Sequence, residues 1–139
     1  MARIPASLRQ VVIEAAQGRC AYCRAPEKFM GVPFEIDHVV PRRAGGRTKA
    51  DNLCLSCPTC NRYKAHRISA ADPASRRSVR LFRPDREKWP DHFEWSEDGT
   101  QIFGLTPAGR ATVEALRFNR PAMVTLRQYW RATGIRLEE

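Results

Sequence analysis

A carboxylate, an imidazole and two amides fall in one short span: Asp37 and His38 side by side, then Asn52, then Asn61 directly behind Cys60. Carboxylate and amide oxygens are hard ligands for a divalent cation, and an imidazole titrates near neutral pH. Together they have the makings of metal-assisted phosphodiester cleavage. Two Cys-x-x-Cys pairs bracket the span, Cys20/Cys23 and Cys57/Cys60, with 33 residues between them. Four thiolates converging on one tetrahedral ion make a closed, structural zinc site. Cys54 lies three residues before Cys57, so a Cys54/Cys57 knuckle is a competing pairing. Taken singly these residues have plainer uses, Asp-His as a surface or capping pair and asparagine as a turn residue or helix N-cap. Their coincidence in one span is what points to a site.

The 139 residues are the size of one domain, which predicts a single compact unit with a modest core. No stretch approaches the roughly 18 to 20 apolar residues of a membrane span, and the N-terminus lacks the basic-then-apolar pattern of a signal peptide. A cytoplasmic protein is expected, with no membrane partner. In a reducing compartment five cysteines argue for metal ligation over a disulfide framework. Lys and Arg number 24 against 15 Asp and Glu, a net charge of +9. Residues 42–88 hold 13 basic and 4 acidic residues, so this window carries the whole excess. A positive surface beside a metal motif is the footprint of a grip on a polyphosphate backbone, with a merely solvated basic face as the alternative.

The elements that must position these groups can be read in turn. Leu8, Val11, Val12, Ala15 and Ala16 form one apolar stripe of a helix over residues 6–17, ended by Gly18. Val32 to Ile36 leads as a strand into Asp37 to Val40, and Pro41 ends it. Residues 42–51, with Gly45-Gly46, form a loop; Leu53 to Ser56 is a second strand; a helix runs from Asn61 to about Arg67. Adjacent strand residues point to opposite faces, so Asp37 and His38 can share a site only if the strand ends or bulges there.

From about Gly18 to Arg67 the chain resembles the HNH nuclease family. The match lies in Arg19-Cys20-x-x-Cys23, Asp37-His38-Val39-Val40-Pro41, Gly45-Gly46, Asp51-Asn52-Leu53 and Cys57-x-x-Cys60-Asn61-x-x-Lys64. The resemblance implies an α+β fold with a ββα-metal (His-Me finger) core stapled by a structural zinc site, preceded by a helix and followed by a hairpin and two helices. It implies that His38 is the general base and that Asn52, the other catalytic residue of the pattern, holds the loop and orients the imidazole. Asp37 and Asn61 would hold one Mg²⁺ or Mn²⁺. It puts the second cysteine pair immediately before Asn61, so Cys20, Cys23, Cys57 and Cys60 become the Zn²⁺ ligands and Cys54 a buried, reduced strand residue. Many members carry His where Asn61 stands; asparagine keeps an oxygen ligand and favours a hard ion. Arg42, Arg43, Arg47, Lys49, Arg62, Lys64 and Arg67 are candidate phosphate contacts, and His66 an exposed helix residue.

Beyond the motif, residues 70–86 read as an extended basic connector or a mobile linker. Phe93 to Trp95 and Ile102-Phe103 flank Asp98-Gly99 as a hairpin, and Thr106-Pro107 opens a helix to about Phe118. A last helix after Pro121 puts Met123, Leu126 and Trp130 on one face, and the aromatics read as core. Residues 1–69 are thus the expected nuclease core, and 70–139 a connector and extension packed in the same domain. The implied activity is hydrolysis of DNA phosphodiester bonds, with RNA as the alternative polymer, leaving a 5′-phosphate and a 3′-hydroxyl. A non-catalytic zinc-ribbon module that binds nucleic acid is the competing reading, but it has no need of Asp37, His38 and Asn61 together. A basic, zinc-stapled partner of another protein is a third, and it requires an exposed apolar patch.

Overall fold

Two short antiparallel strands and one helix carry the chemistry-bearing residues. The computed structural model describes residues 4–138. Strand β1, Glu35–His38, pairs with β2, Leu53–Ser56, placing Glu35 opposite Ser56, Asp37 opposite Cys54 and His38 opposite Leu53. Buried side chains on successive β2 residues mark a strand covered on both faces. β1 ends at His38 without a bulge, and Val39 adds one further backbone bond to Asn52 before Pro41. Helix α2, Pro58–Lys64, starts three residues earlier than the motif suggests: Cys57 is its N-cap, Sγ accepting from the Cys60 N–H, and Pro58 at the first position gives up no needed donor. This is a ββα unit.

Helix α1, Ala6–Ala16, packs on β2. The stripe that faces inward is Leu8, Val12 and Ala16; Val11 and Ala15, expected on it, are exposed, Val11 by 52%. The described residues fall into two compact units, the first holding the residues through Ile68 together with Arg83–Glu87, the second Ser69–Phe82 and the residues from Lys88 onward.

The second unit has its own elements. Strands β3, Ser69–Ala71, and β4, Ser78–Arg80, form a hairpin inside the stretch expected to run as a connector. Helix α3, Trp89–His92, precedes the hairpin of β5, Phe93–Trp95, and β6, Ile102–Gly104. Helix α4, Pro107–Ala115, is capped by Thr106, whose Oγ1 accepts from the Gly109 N–H at 3.0 Å, and α5 spans Pro121–Ala132. Phe93 sits at the centre of an aromatic core, 5.0 Å from Trp89, 5.1 Å edge-on to Phe82 and 5.4 Å from Phe118 between ring centroids. These rings are therefore spent on packing. No helix among the described residues is long and apolar enough to cross a membrane.

Candidate active site and cysteine cluster

The Sγ atoms of Cys20, Cys23, Cys57 and Cys60 all lie within 4.8 Å of one another, and all four residues are buried. Cys23 Sγ and Cys57 Sγ are 3.8 Å apart. That is the edge of a tetrahedron whose corners stand about 2.3 Å from its centre, the zinc–thiolate bond length. The Ala21 N–H bonds the Leu55 carbonyl at 2.8 Å, tying the first knuckle to β2. Hydrogen bonds from the other three cysteines hold the Cys57 thiol far below its ordinary pKa, and the Cys20 thiol, against its burial, is lowered by its bonds to Cys23 and Cys60, while the thiols of Cys23 and Cys60 are pushed well up. The buried thiolates thus make further ones costly, a conflict that a dication at the centre removes. Cys54 stands outside the cluster, and burial pushes its thiol up, so it stays neutral.

Asp37, His38 and Asn61 line one cavity of about 510 Å³, together with Ile36, Arg42, Arg43 and His66. Asp37 is 6% exposed, and its Oδ2 accepts from the Tyr22 hydroxyl at 2.8 Å and from Lys64 Nζ at 3.1 Å. Burial raises its carboxyl pKa above the ordinary value in spite of Lys64 and Tyr22, so the ion pair does not recover the whole cost of desolvation. On His38, Nε2 lies 2.9 Å from Thr48 Oγ1. Burial is the largest influence on this ring and lowers its pKa below 6.5; Asp37 opposes it, and Arg42 and Lys64 reinforce it. The shift favours the neutral imidazole. Asn61 Nδ2 donates to Glu35 Oε1 at 2.6 Å, and because a carboxylate only accepts, the amide oxygen is the atom left for a cation.

The family model for HNH endonuclease matches residues 20–67, from the first cysteine to Arg67. The likeness is confined to this segment. A search of curated proteins finds no match.

Within the HNH segment Asn52 is the clamp of the loop between the strands. Its Oδ1 accepts from the Val40 N–H at 2.9 Å, and its Nδ2 donates to the carbonyls of Val40 and Arg47 at 3.0 and 2.9 Å. Its side-chain hydrogen bonds go to the loop backbone and not to His38, and it does not line the cavity; it positions the loop that brings Thr48 to the ring. The glycine pair answers the same geometry. Gly45 has φ +93°, and a Cβ on Gly46 would stand 1.7 Å from the Val40 carbonyl oxygen and 2.8 Å from Asn52 Nδ2.

Arg42, Arg43, Arg47, Lys49, Arg62 and Arg67 are exposed, as phosphate contacts must be. Lys64 is not: only 1% exposed, it bonds Asp37 and the His38 carbonyl, so its charge is used inside. Helix α2 ends at Lys64, which leaves His66 exposed past the helix and on the rim of the cavity. Tyr22, Thr48 and Glu35 are the residues that sequence reasoning missed. Of these only Tyr22 carried a signal, since an aromatic inside a Cys-x-x-Cys knuckle must pack on whatever lies beside the cluster.

Proposed function

We propose that this protein is a metal-dependent endonuclease that hydrolyses DNA phosphodiester bonds, with a zinc ion in the cysteine cluster as a structural staple. The observation that carries the reading is the shared cavity of Asp37, His38 and Asn61, edged by Arg42 and Arg43. Asp37 and Asn61 offer hard oxygen donors there, which fits Mg²⁺ or Mn²⁺. Such an ion, when bound, neutralises charge on the scissile phosphate and the leaving oxygen. Because Nε2 of His38 is engaged by Thr48, Nδ1 is the nitrogen that takes the proton from the attacking water. The water oxygen bonds to phosphorus as the P–O3′ bond breaks, and the departing oxygen is protonated from solvent, giving a 5′-phosphate and a 3′-hydroxyl. The exposed arginines of the loop and of α2 hold the flanking phosphates.

The test is supercoiled plasmid incubated with Mg²⁺ or Mn²⁺, with and without the metal, for the wild type and His38→Ala. Removing a positioned base should cost roughly a hundred- to ten-thousand-fold in rate. The acid limb of the pH–rate profile should lie below pH 6.5, because activity needs the neutral ring and its pKa is lowered. Cleavage by His38→Ala at the wild-type rate would refute the assignment. No cleavage by a wild type that still binds DNA would favour a zinc-stapled binding module, in which the Asp37–Lys64 pair serves the fold alone.

A further inference from the structure

The β3–β4 hairpin of the second unit lies outside the HNH segment and carries Arg76, Arg77 and Arg80, all exposed. Among the described residues no carboxylate pairs with any of them, and the one acid of the hairpin, Asp72, is turned inward. Asp72 is fully buried and gripped by a two-pronged bond from Arg110 of α4, at 3.0 and 2.9 Å. Its other contacts shape the turn. Oδ1 accepts from the Ala74 N–H, Oδ2 from the Ser75 hydroxyl, and the backbone closes through Arg76 N–H to the Asp72 carbonyl at 2.7 Å. The acid that would cancel the arginines is thus spent on fixing them.

The two faces of the hairpin differ in kind. Ala70 and Val79 pair on the half-buried face, and α4 packs against both strands. The other face pairs Ser69 with Arg80 and Ala71 with Ser78, so beside the arginine it has only small side chains, two of them hydroxyls. A flat, cationic, hydroxyl-bearing ribbon lets a sugar-phosphate strand approach closely, and the duplex major groove is wide enough for a two-stranded ribbon. Arg80 lies on this face at the end of β4, and Arg76 and Arg77 stand in the connection between the two strands, so they can engage separate phosphates.

We infer that the β3–β4 hairpin is a second nucleic-acid contact, gripping the phosphates of duplex DNA through Arg76, Arg77 and Arg80. The inference rests on the reading that DNA is the substrate, but its test does not need cleavage. Equilibrium binding of the full-length protein to a duplex is measured across a salt series without added divalent cation. The wild type is compared with Arg76→Gln/Arg77→Gln/Arg80→Gln and with Arg117→Gln/Arg120→Gln/Arg136→Gln, which removes the same charge elsewhere on the unit. Three lost phosphate contacts should flatten the log–log salt slope by about 2 to 3 and weaken binding roughly a hundredfold at 0.15 M salt. The control set should change the slope by less than one contact.

An unchanged slope in the hairpin variant, with melting temperature intact, would overturn the inference. So would equal losses in both sets, which signal bulk charge. A loss confined to anionic phospholipid vesicles, with DNA binding intact, would also overturn it and assign the hairpin to membranes. If the wild type fails to cut plasmid yet the hairpin variant loses DNA binding, the nuclease reading has failed and the contact stands; if it cuts and the slope is unchanged, the reverse holds.

Discussion

Replacing Lys64 by Met tests the interior of the HNH-like segment more sharply than any surface change. The side chains of Lys64 and Asp37 are 2% and 7% exposed, with Nζ and Oδ2 3.1 Å apart. At an effective dielectric constant near 20 the gross attraction at that distance is about 5 kcal/mol. Deleting one partner of a buried pair strands the other charge, at a cost of about 3 to 5 kcal/mol. Asp37 can escape part of this by taking up a proton, a course its raised pKa already favours. In the variant its folded pKa lies further above the unfolded value, so the native state binds more protons and stability falls as pH rises through the folded pKa. The deficit should therefore be largest at pH 7 and shrink as the pH is lowered. Asp37→Asn/Lys64→Met, which leaves no charge behind, should recover most of it. Tryptophan fluorescence is the wrong probe, because Trp89, Trp95 and Trp130 all lie in the other unit. Hydrogen exchange at β1 and β2 amides reads the affected strands directly. A cost at pH 7 no greater than the ~1 kcal/mol of an exposed pair would refute the reasoning.

Two further outcomes follow from the geometry. Cys60→Ser should reduce zinc from about one equivalent per chain to near zero, as read by elemental analysis, with loss of protection in β1 and β2, whereas Cys54→Ser should keep its zinc; the reverse pattern would restore the rival Cys54/Cys57 knuckle. Asp72, whose carboxyl the Arg110 guanidinium holds well below the usual range, stabilises the second unit above its unfolded pKa of about 3.9, and that support is lost as the pH falls toward the folded value. Asp72→Asn should lower the second unit's stability at pH 7 and blunt its acid unfolding below pH 4, followed by tryptophan fluorescence; an identical acid transition in both proteins would count against it.

The parts legible in the sequence were those set by local chemistry. Thr106-Pro107 opens α4, and Leu53–Ser56 is β2 as read, because caps and short apolar runs act over a few residues. The four-cysteine cluster was legible because two knuckles have few other uses. Direction was harder. Lys64 reads as a phosphate contact yet is buried, and Arg127 is buried too, since a long cationic side chain goes inward when acceptors wait there: Asp37 for one, the Thr100 and Phe118 carbonyls for the other. Leu126, expected inward on α5, is only half-buried, and Arg127 takes the interior place one residue on. The Thr48–His38 contact could not be read because a loop fixed by Asn52, not a period, sets it. The hairpin at residues 69–80 was hidden for a related reason: its strands are three residues long, and a distant Arg110 fastens their turn.

The placement of the cysteines also makes the HNH segment a ring. Asp37, His38, Thr48 and Asn52 all lie in the 33 residues between Cys23 and Cys57, so a metal across the cluster closes the chain upon itself around them. Closing a free loop of this length costs about 3 to 4 kcal/mol of chain entropy, which the bound ion removes from the folding of two four-residue strands too short to stand alone. Length is cheap in such a ring, at about 0.6 kcal/mol for each doubling, so the exposed turn around Gly31 can take inserted residues without disturbing the site. A single cut within the ring leaves both pieces tethered through the cluster, and the break becomes a separation only when the metal is taken away.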